Sequence, residues 1–259
     1  MAGTRAEDAE AIEKSDIGIT MSGNTTGSAY EAADVIMHDD NFSAIADMIA
    51  SARQVHRNIK RACAAMISGY IALILLNMLN LFGDAQLMLN PALIAVLTMF
   101  ILPLTAFAGL NNRSDRKGIM PPSEFISNRK INHRFIVLAS IVGALCGAAS
   151  YMFMYNDTGS NVDFARSCSL LAFGFSTSLF TFVNMPSGNP FIGLAEGGKP
   201  AVIGVLAPAL AAVLLVFIPG LNSVFGLTGI DMLATFISIV TGVIPPLGYV
   251  IVRSIIKFE

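Results

Sequence analysis

Tryptophan is missing from these 259 residues, and over long stretches charge is missing as well. Charged residues make up 13% of the chain against 54% apolar, and mean hydropathy is +0.65. An ordinary soluble domain carries about 25% charged residues, so this composition excludes one. From Ala62 to Gly83 there is no charge at all, which meets the ~20 residues needed to cross a hydrocarbon core. Acids are absent between Asp47 and Asp84 and again between Asp84 and Asp115. A surplus of base is absent too. The net charge of -2, with no basic stripe, excludes nucleic acid as the main partner. Cys63, Cys146 and Cys168 all sit in apolar runs without metal-ligand spacing, so buried thiols are expected. Residues 1–20 are acidic rather than apolar, and no secretory leader is expected.

What is present begins with a helix start. Asp40-Asn41-Phe42 offers side-chain acceptors to unpaired first-turn amides, and Phe42, Ile45, Ala46, Ile49 and Ala50 follow at helical spacing. After Arg57, Lys60 and Arg61 the charges stop without a helix breaker. One continuous helix is therefore predicted to pass from a polar stalk into lipid. Upstream, Ile17, Ile19 and Met21 alternate like a short strand, Ser22 to Ser28 is a turn cluster, Tyr30 to Ala33 reads as a brief helix, and Val35 to Met37 as a second strand. This piece is too small to bury its own core and is expected to be the edge of a larger domain.

Six apolar spans follow, at about 62–83, 87–110, 135–155, 167–185, 201–218 and 232–252. Pro103 and the pair Pro245-Pro246 predict kinks inside a bundle, where neighbours can satisfy the freed carbonyls. The expected organisation is thus 1–41, a stalk at 42–61, and a six-helix membrane domain at 62–259. The fold class is mainly α, a polytopic helix bundle with a small N-terminal α/β piece. The loop at 111–134 holds Arg113, Arg116, Lys117, Arg129, Lys130 and Arg134, whereas the facing loops carry mainly Asp84, Asp157, Asp163 and Asp231. By the positive-inside rule both termini are expected in the cytoplasm, with the cell membrane as location.

The polar residues inside the spans are few. Asn77 and Asn80 share a face of the first span, Thr98 and Thr105 lie on the second, and Ser176, Thr177 and Ser178 on the fourth. Asn77, Asn80, Thr98 and Ser178 are the candidate lining of a path for a monovalent ion or small polar solute. The competing reading, hydrogen bonding between helices at ~0.6 kcal/mol each, weighs more. Gly143 and Gly147 read as a close-packing stripe, and Gly193 and Gly197 as a loop. Met66, Met78, Met88 and Met99 read as packing filler.

Three strings carry a resemblance: Ser15-Asp16-Ile17-Gly18-Ile19-Thr20-Met21, Glu31-Ala32-Ala33-Asp34-Val35-Ile36, and Asp39-Asp40-Asn41-Phe42-Ser43-Ala44-Ile45. They resemble P-type cation-transporting ATPases of the calcium-pump-like group, at the end of the haloacid-dehalogenase-like phosphorylation domain and the stalk into the fifth membrane helix. Arg57-Asn58-Ile59-Lys60 fits the stalk–membrane junction, and Gly118-Ile119-Met120-Pro121-Pro122 is similar to the loop between the family's sixth and seventh helices. The resemblance implies an ATP-driven ion pump that uses Mg²⁺ and ATP, with further domains upstream of Met1 as partners beside the bilayer.

The departures are specific. No Asp-Lys-Thr-Gly-Thr phosphorylation string occurs. The family's Mg²⁺ hinge falls on Ala2 to Ile12, where Thr4 takes the place of the metal-binding Asp, Glu7 that of Asn and Glu10 that of Pro. Asp8 alone keeps its type, as the remnant of that metal site; no catalytic residue and no resident cofactor are expected in this chain. The fifth-helix ligands of the resemblance fall on Tyr70 and Leu73. The sixth-helix ligands fall on Val96, Met99 and Phe100 when aligned at Leu102-Pro103, or on Thr98, Ile101 and Leu102 when aligned at Pro91. The expected function is the C-terminal membrane portion of such a pump, inactive alone. A degenerate remnant acting as scaffold or partner-binding subunit is the alternative. A small secondary transporter ranks last, because no inverted repeat is evident.

The loop charges generate a topology prediction. In a cysteine-free background, Lys117→Cys is expected to react with a membrane-impermeant maleimide only after the cytoplasmic face is opened; reaction in intact cells reverses the assignment.

Overall fold

The computed structural model describes residues 1–23, 25–38, 43–79, 88–110, 133–159, 161–185 and 190–256. The chain divides into two compact units, Met1–Arg53 and Gln54–Glu259. In the first unit, strands β1 (Ile19–Met21) and β2 (Val35–Met37) pair in parallel, with Ile19 opposite Val35 and Met21 opposite Met37. Ala2 adds a parallel bridge to Ile19. Helices α1 (Ala9–Glu13) and α2 (Gly27–Ala32) are the crossovers that parallel pairing requires. Alternation in the sequence marks both strands; α1, too short for a periodic signal, is visible only in the structure. Ile12, Ile19, Thr20 and Ala29 are buried here. Asp34 locks the entry to β2: Gly18 N–H donates to its Oδ2 at 2.8 Å, while its own N–H donates to the Gly18 carbonyl at 3.0 Å.

Helix α3 (Ser43–Leu79) runs unbroken for 37 residues, as the stalk pattern predicts. Among the described residues six helices are long and apolar enough to cross a bilayer. The second crossing is composite: α4 (Pro91–Val96), a π-helical turn over Leu97–Ile101, α5 (Leu102–Leu104) and α6 (Phe107–Leu110). Pro103 has no N–H to donate and its ring crowds the preceding turn, so the ladder widens just before it. The others are α7 (His133–Asp157), α8 (Val162–Val183), α9 (Pro190–Phe217) and α11 (Met232–Ile256), with a single turn, α10 (Leu221–Val224), between the last two.

Helix α8 starts at Val162, ahead of the apolar stretch that the sequence marks from 167. Asn161 caps it by accepting from the Phe164 N–H at 3.3 Å, and Asp163 pairs with Arg166 at 2.9 Å within the first turns. Gly193 and Gly197 belong not to a loop but to the start of α9, both buried. That helix is broken at Gly198, whose φ of 64° and ψ of -154° lie outside the helical region and suit glycine. Lys199-Pro200 then restart it.

Helix α8 is the centre of the second unit. It packs against α7, α9 and α11, and 78% of its apolar stretch is buried, against 61% for α7. The main core joins Leu73 and Leu76 of α3, Leu93, Ile101 and Leu102 of the second crossing, Tyr151 of α7 and Phe173 of α8. The closest approach is that of α9 to α6. A Cβ at Gly204 would lie 2.3 Å from the Ala108 nitrogen. Gly204→Ala is therefore expected to lower thermal stability in detergent by at least the upper end of the ~1–3 kcal/mol of overpacking. Gly248→Ala, with nothing within 4 Å of the added carbon, should leave the melting curve in place.

Candidate functional site

Along β1 of the first unit lies a cavity of about 310 Å³ lined by Ala2, Gly3, Thr4, Arg5, Asp8, Ile19 and Met21. Asp8 closes the loop beside it. Its Oδ2 accepts from the Thr4 N–H at 3.2 Å and the Arg5 N–H at 3.1 Å. Thr20 Oγ1 donates to the Gly3 carbonyl at 2.9 Å, and Thr26 N–H to the Thr4 carbonyl at 3.0 Å. Glu10 turns away and pairs with Lys14 at 2.5 Å on the surface. Among the described residues no three His, Cys, Asp or Glu side chains come together in a metal-binding group.

In the membrane part, the break in the second crossing faces α3. Tyr70 Oη donates to the Thr98 carbonyl at 3.0 Å, inside the π-helical turn. Thr98 turns its own hydroxyl back to the carbonyls of Ile94 at 2.8 Å and Ala95 at 3.1 Å. Met99 and Phe100 are 72% and 68% exposed, whereas Ile101 and Leu102 are 6% and 1% exposed. The alignment anchored at Pro91 is thus the one whose residues turn inward, and they are apolar except Thr98. Asn77 spends its amide on the Leu73 carbonyl one turn back, at 2.8 Å; its Oδ1 is buried and has no partner among the described residues. Asn80 lies outside the described residues. Ser178 Oγ donates to the Val205 carbonyl of α9 at 2.5 Å. Asn77, Thr98 and Ser178 thus each have a backbone acceptor of their own, on α3, the second crossing and α9.

The sequence marks Ser176, Thr177 and Ser178 of α8, and the structure extends them into a hydroxyl ladder. Ser167, Ser169, Ser176, Thr177, Ser178 and Thr181 are all buried. Ser167 Oγ donates to the Thr228 carbonyl at 2.8 Å and accepts from the Thr228 N–H at 3.0 Å. Ser169 and Ser176 lie two turns apart, beside Gly147 and Gly143 of α7. The Ser169 hydroxyl has no hydrogen-bond partner among the described residues, whereas Ser176 also neighbours the Cys146 thiol. Ser140 Oγ donates to the Ser68 carbonyl at 3.1 Å, and Ser150 reaches Ser238 at 3.3 Å. Isolated serines in apolar runs give no sequence signal, although the seven-residue spacing of Ser169 and Ser176 does mark a shared face.

A second polar collar surrounds α3 near its junction. Asn58 Nδ2 donates to the Leu110 carbonyl at the end of α6 at 3.2 Å, and Gln54 Nε2 donates to Asn58 Oδ1 at 3.1 Å. Asn184, just after α8, donates to the Arg61 carbonyl at 3.0 Å. Two crossings are thus fastened to one turn of α3.

Compared with known families, residues 86–257 match the one described as "Cation transporting ATPase, C-terminus".

The Tyr70 contact makes a direct expectation. Tyr70→Phe keeps the ring and removes only the donor to the Thr98 carbonyl, so it is expected to cost about 0.6–1.7 kcal/mol, the span measured for side-chain hydrogen bonds between membrane helices. A melting curve unchanged from the parent would show that water or another group serves that carbonyl equally well.

Proposed function

The chain belongs to the cation-transporting ATPases, whose C-terminal membrane domain it carries in residues 86–257, and we propose that it serves as the membrane-embedded portion of a P-type pump, inert toward ATP by itself. The strings at 15–45 favour the calcium-pump-like group as its origin. As an integral, multi-pass membrane protein it has the bilayer as its first partner, and the catalytic part of a pump is the second.

The observation that carries the inert reading is the absence of acid from the first two crossings. No Asp or Glu lies between Asp47 and Asp84 or between Asp84 and Asp115. A divalent ion stripped of water needs anionic oxygens in such a place. Among the described residues, the Tyr70 and Thr98 hydroxyls and the Asn77 amide nitrogen donate to backbone carbonyls, and the Asn77 Oδ1, buried without a partner, is one neutral oxygen where calcium takes six to eight. Tyr70 also occupies the carbonyl that the helix break would otherwise offer to a passing ion. This supports a membrane part that holds no calcium.

The hinge supports the same reading. Mg²⁺ demands near-octahedral oxygen ligands. Around Asp8 there is one carboxylate, with one of its oxygens engaged by two backbone amides, and Arg5 is the other charged residue of the lining. These residues do not fit the ion, and no phosphoryl-transfer step is derived through them.

Purified chain in nanodiscs, incubated with Mg²⁺ and γ-labelled ATP, is expected to carry no acid-stable, hydroxylamine-labile label, and calcium is expected to leave its melting curve unmoved. Labelling above a heat-killed control overturns the inert reading. Tight capture of a second membrane subunit by the unlabelled chain would instead favour the scaffold role.

A further inference from the structure

The two halves of α9 differ in what they can bury. Up to Gly197 the helix has eight residues, and after the turn at Gly198 it continues as the fifth crossing. An isolated helix of eight residues does not hold itself together in water. One face of it is docked: Gly193 and Gly197 are buried, and Leu194 packs on the cluster of Ala108, Met185, Ala201 and Val205. The other face is apolar and outward. Phe191 is 71% exposed and Ile192 49% exposed, and the Phe191 ring is held edge-on to Phe182 at 5.1 Å between centroids.

We propose that Pro190–Gly197 lies in the headgroup–acyl boundary of the bilayer, with Phe191 and Ile192 as a lipid-contacting face. Three observations select lipid as the occupant. The outward face continues onto the exposed apolar stripe Val202, Ile203, Leu206 and Leu210 of the same helix, which spans the bilayer. The part of this face that lies before the crossing is two side chains wide, far short of the ~1,000 Å² that a stable protein interface buries. Charge follows it at the break: Glu196 and Lys199 are exposed, and a lysine stem there can lie along apolar surface while its ammonium reaches the phosphates. Gly198 supplies the turn out of the axis of the crossing. The proposal needs only the membrane-spanning character of α9; it holds on either side of the bilayer and does not depend on the pump reading.

The absence of native tryptophan makes the test direct. Phe191→Trp, Ile192→Trp and Leu210→Trp each install a single fluorophore in the full chain, reconstituted in phosphatidylcholine nanodiscs. Leu210→Trp reports the depth of the crossing and is expected to be quenched most by lipid brominated near the chain end. Phe191→Trp and Ile192→Trp are expected to emit at shorter wavelength than free tryptophan. They should resist aqueous iodide and be quenched most by lipid brominated near the carbonyls, at a depth of about 5–10 Å. Water-like emission with iodide quenching at both positions, while Leu210→Trp behaves as a lipid residue, overturns the proposal. Silence toward both quenchers at both positions overturns it as well, since protein would then cover the face. Using two positions on one face keeps the result readable if one variant fails to fold.

Discussion

Inside hydrocarbon a backbone carbonyl without a donor costs several kcal/mol, and the bundle is arranged around that constraint. At three places where a helix is interrupted, bends or ends, a side-chain donor reaches a backbone carbonyl from another helix. The widened turn before Pro103 receives Tyr70 at the Thr98 carbonyl. Near Pro208, Ser178 of α8 donates to the Val205 carbonyl, three residues ahead of the ring. The end of the second crossing at Leu110 receives Asn58. The chain thus places its scarce polar side chains where the ladder fails, and little of that polarity remains for a transported ion.

This division bears on function. A path for a hard cation needs several oxygens converging on one point, in excess of those the fold itself consumes. Along α8 the hydroxyls are numerous but dispersed, most of them bonded to a carbonyl, and the described amides of α3 bond their own turn or a neighbour's end. The family relationship supplies the architecture of a cation pump; in the first two crossings the described polar side chains mostly bond the backbone.

How much of this was legible beforehand differs by level. Apolar runs located the six crossings, because length and absence of charge are properties of the string alone. Helix extends beyond an apolar run where charges neutralise each other locally: Asp163 and Arg166 look like a loop until their mutual bond is seen. Gly193 and Gly197 look like a loop because glycine is ambiguous; buried against small neighbours it permits close packing instead. The candidate polar residues Asn77, Thr98 and Ser178 were visible as types, but their partners were not, since a carbonyl acceptor leaves no trace in sequence. Tyr70 was visible only as a substitution; its reach to Thr98 depends on a helix distortion that Pro103 announces without specifying where the freed carbonyl points.

The position of α8 has a consequence for biosynthesis. It is the most buried of the six helices, and acceptors that fix it, the carbonyls of Val205 and Thr228, are encoded downstream. The same holds for Gly242, where an added Cβ would meet the Ala172 carbonyl at 2.5 Å. When α8 leaves the ribosome, those groups have yet to be synthesised. Its serines must turn back on their own helix, remain hydrated at the translocon wall, or borrow contacts from α7 until α9 and α11 arrive. Membrane integration of this chain is accordingly a late, collective event, with the central helix secured by the ones that follow it.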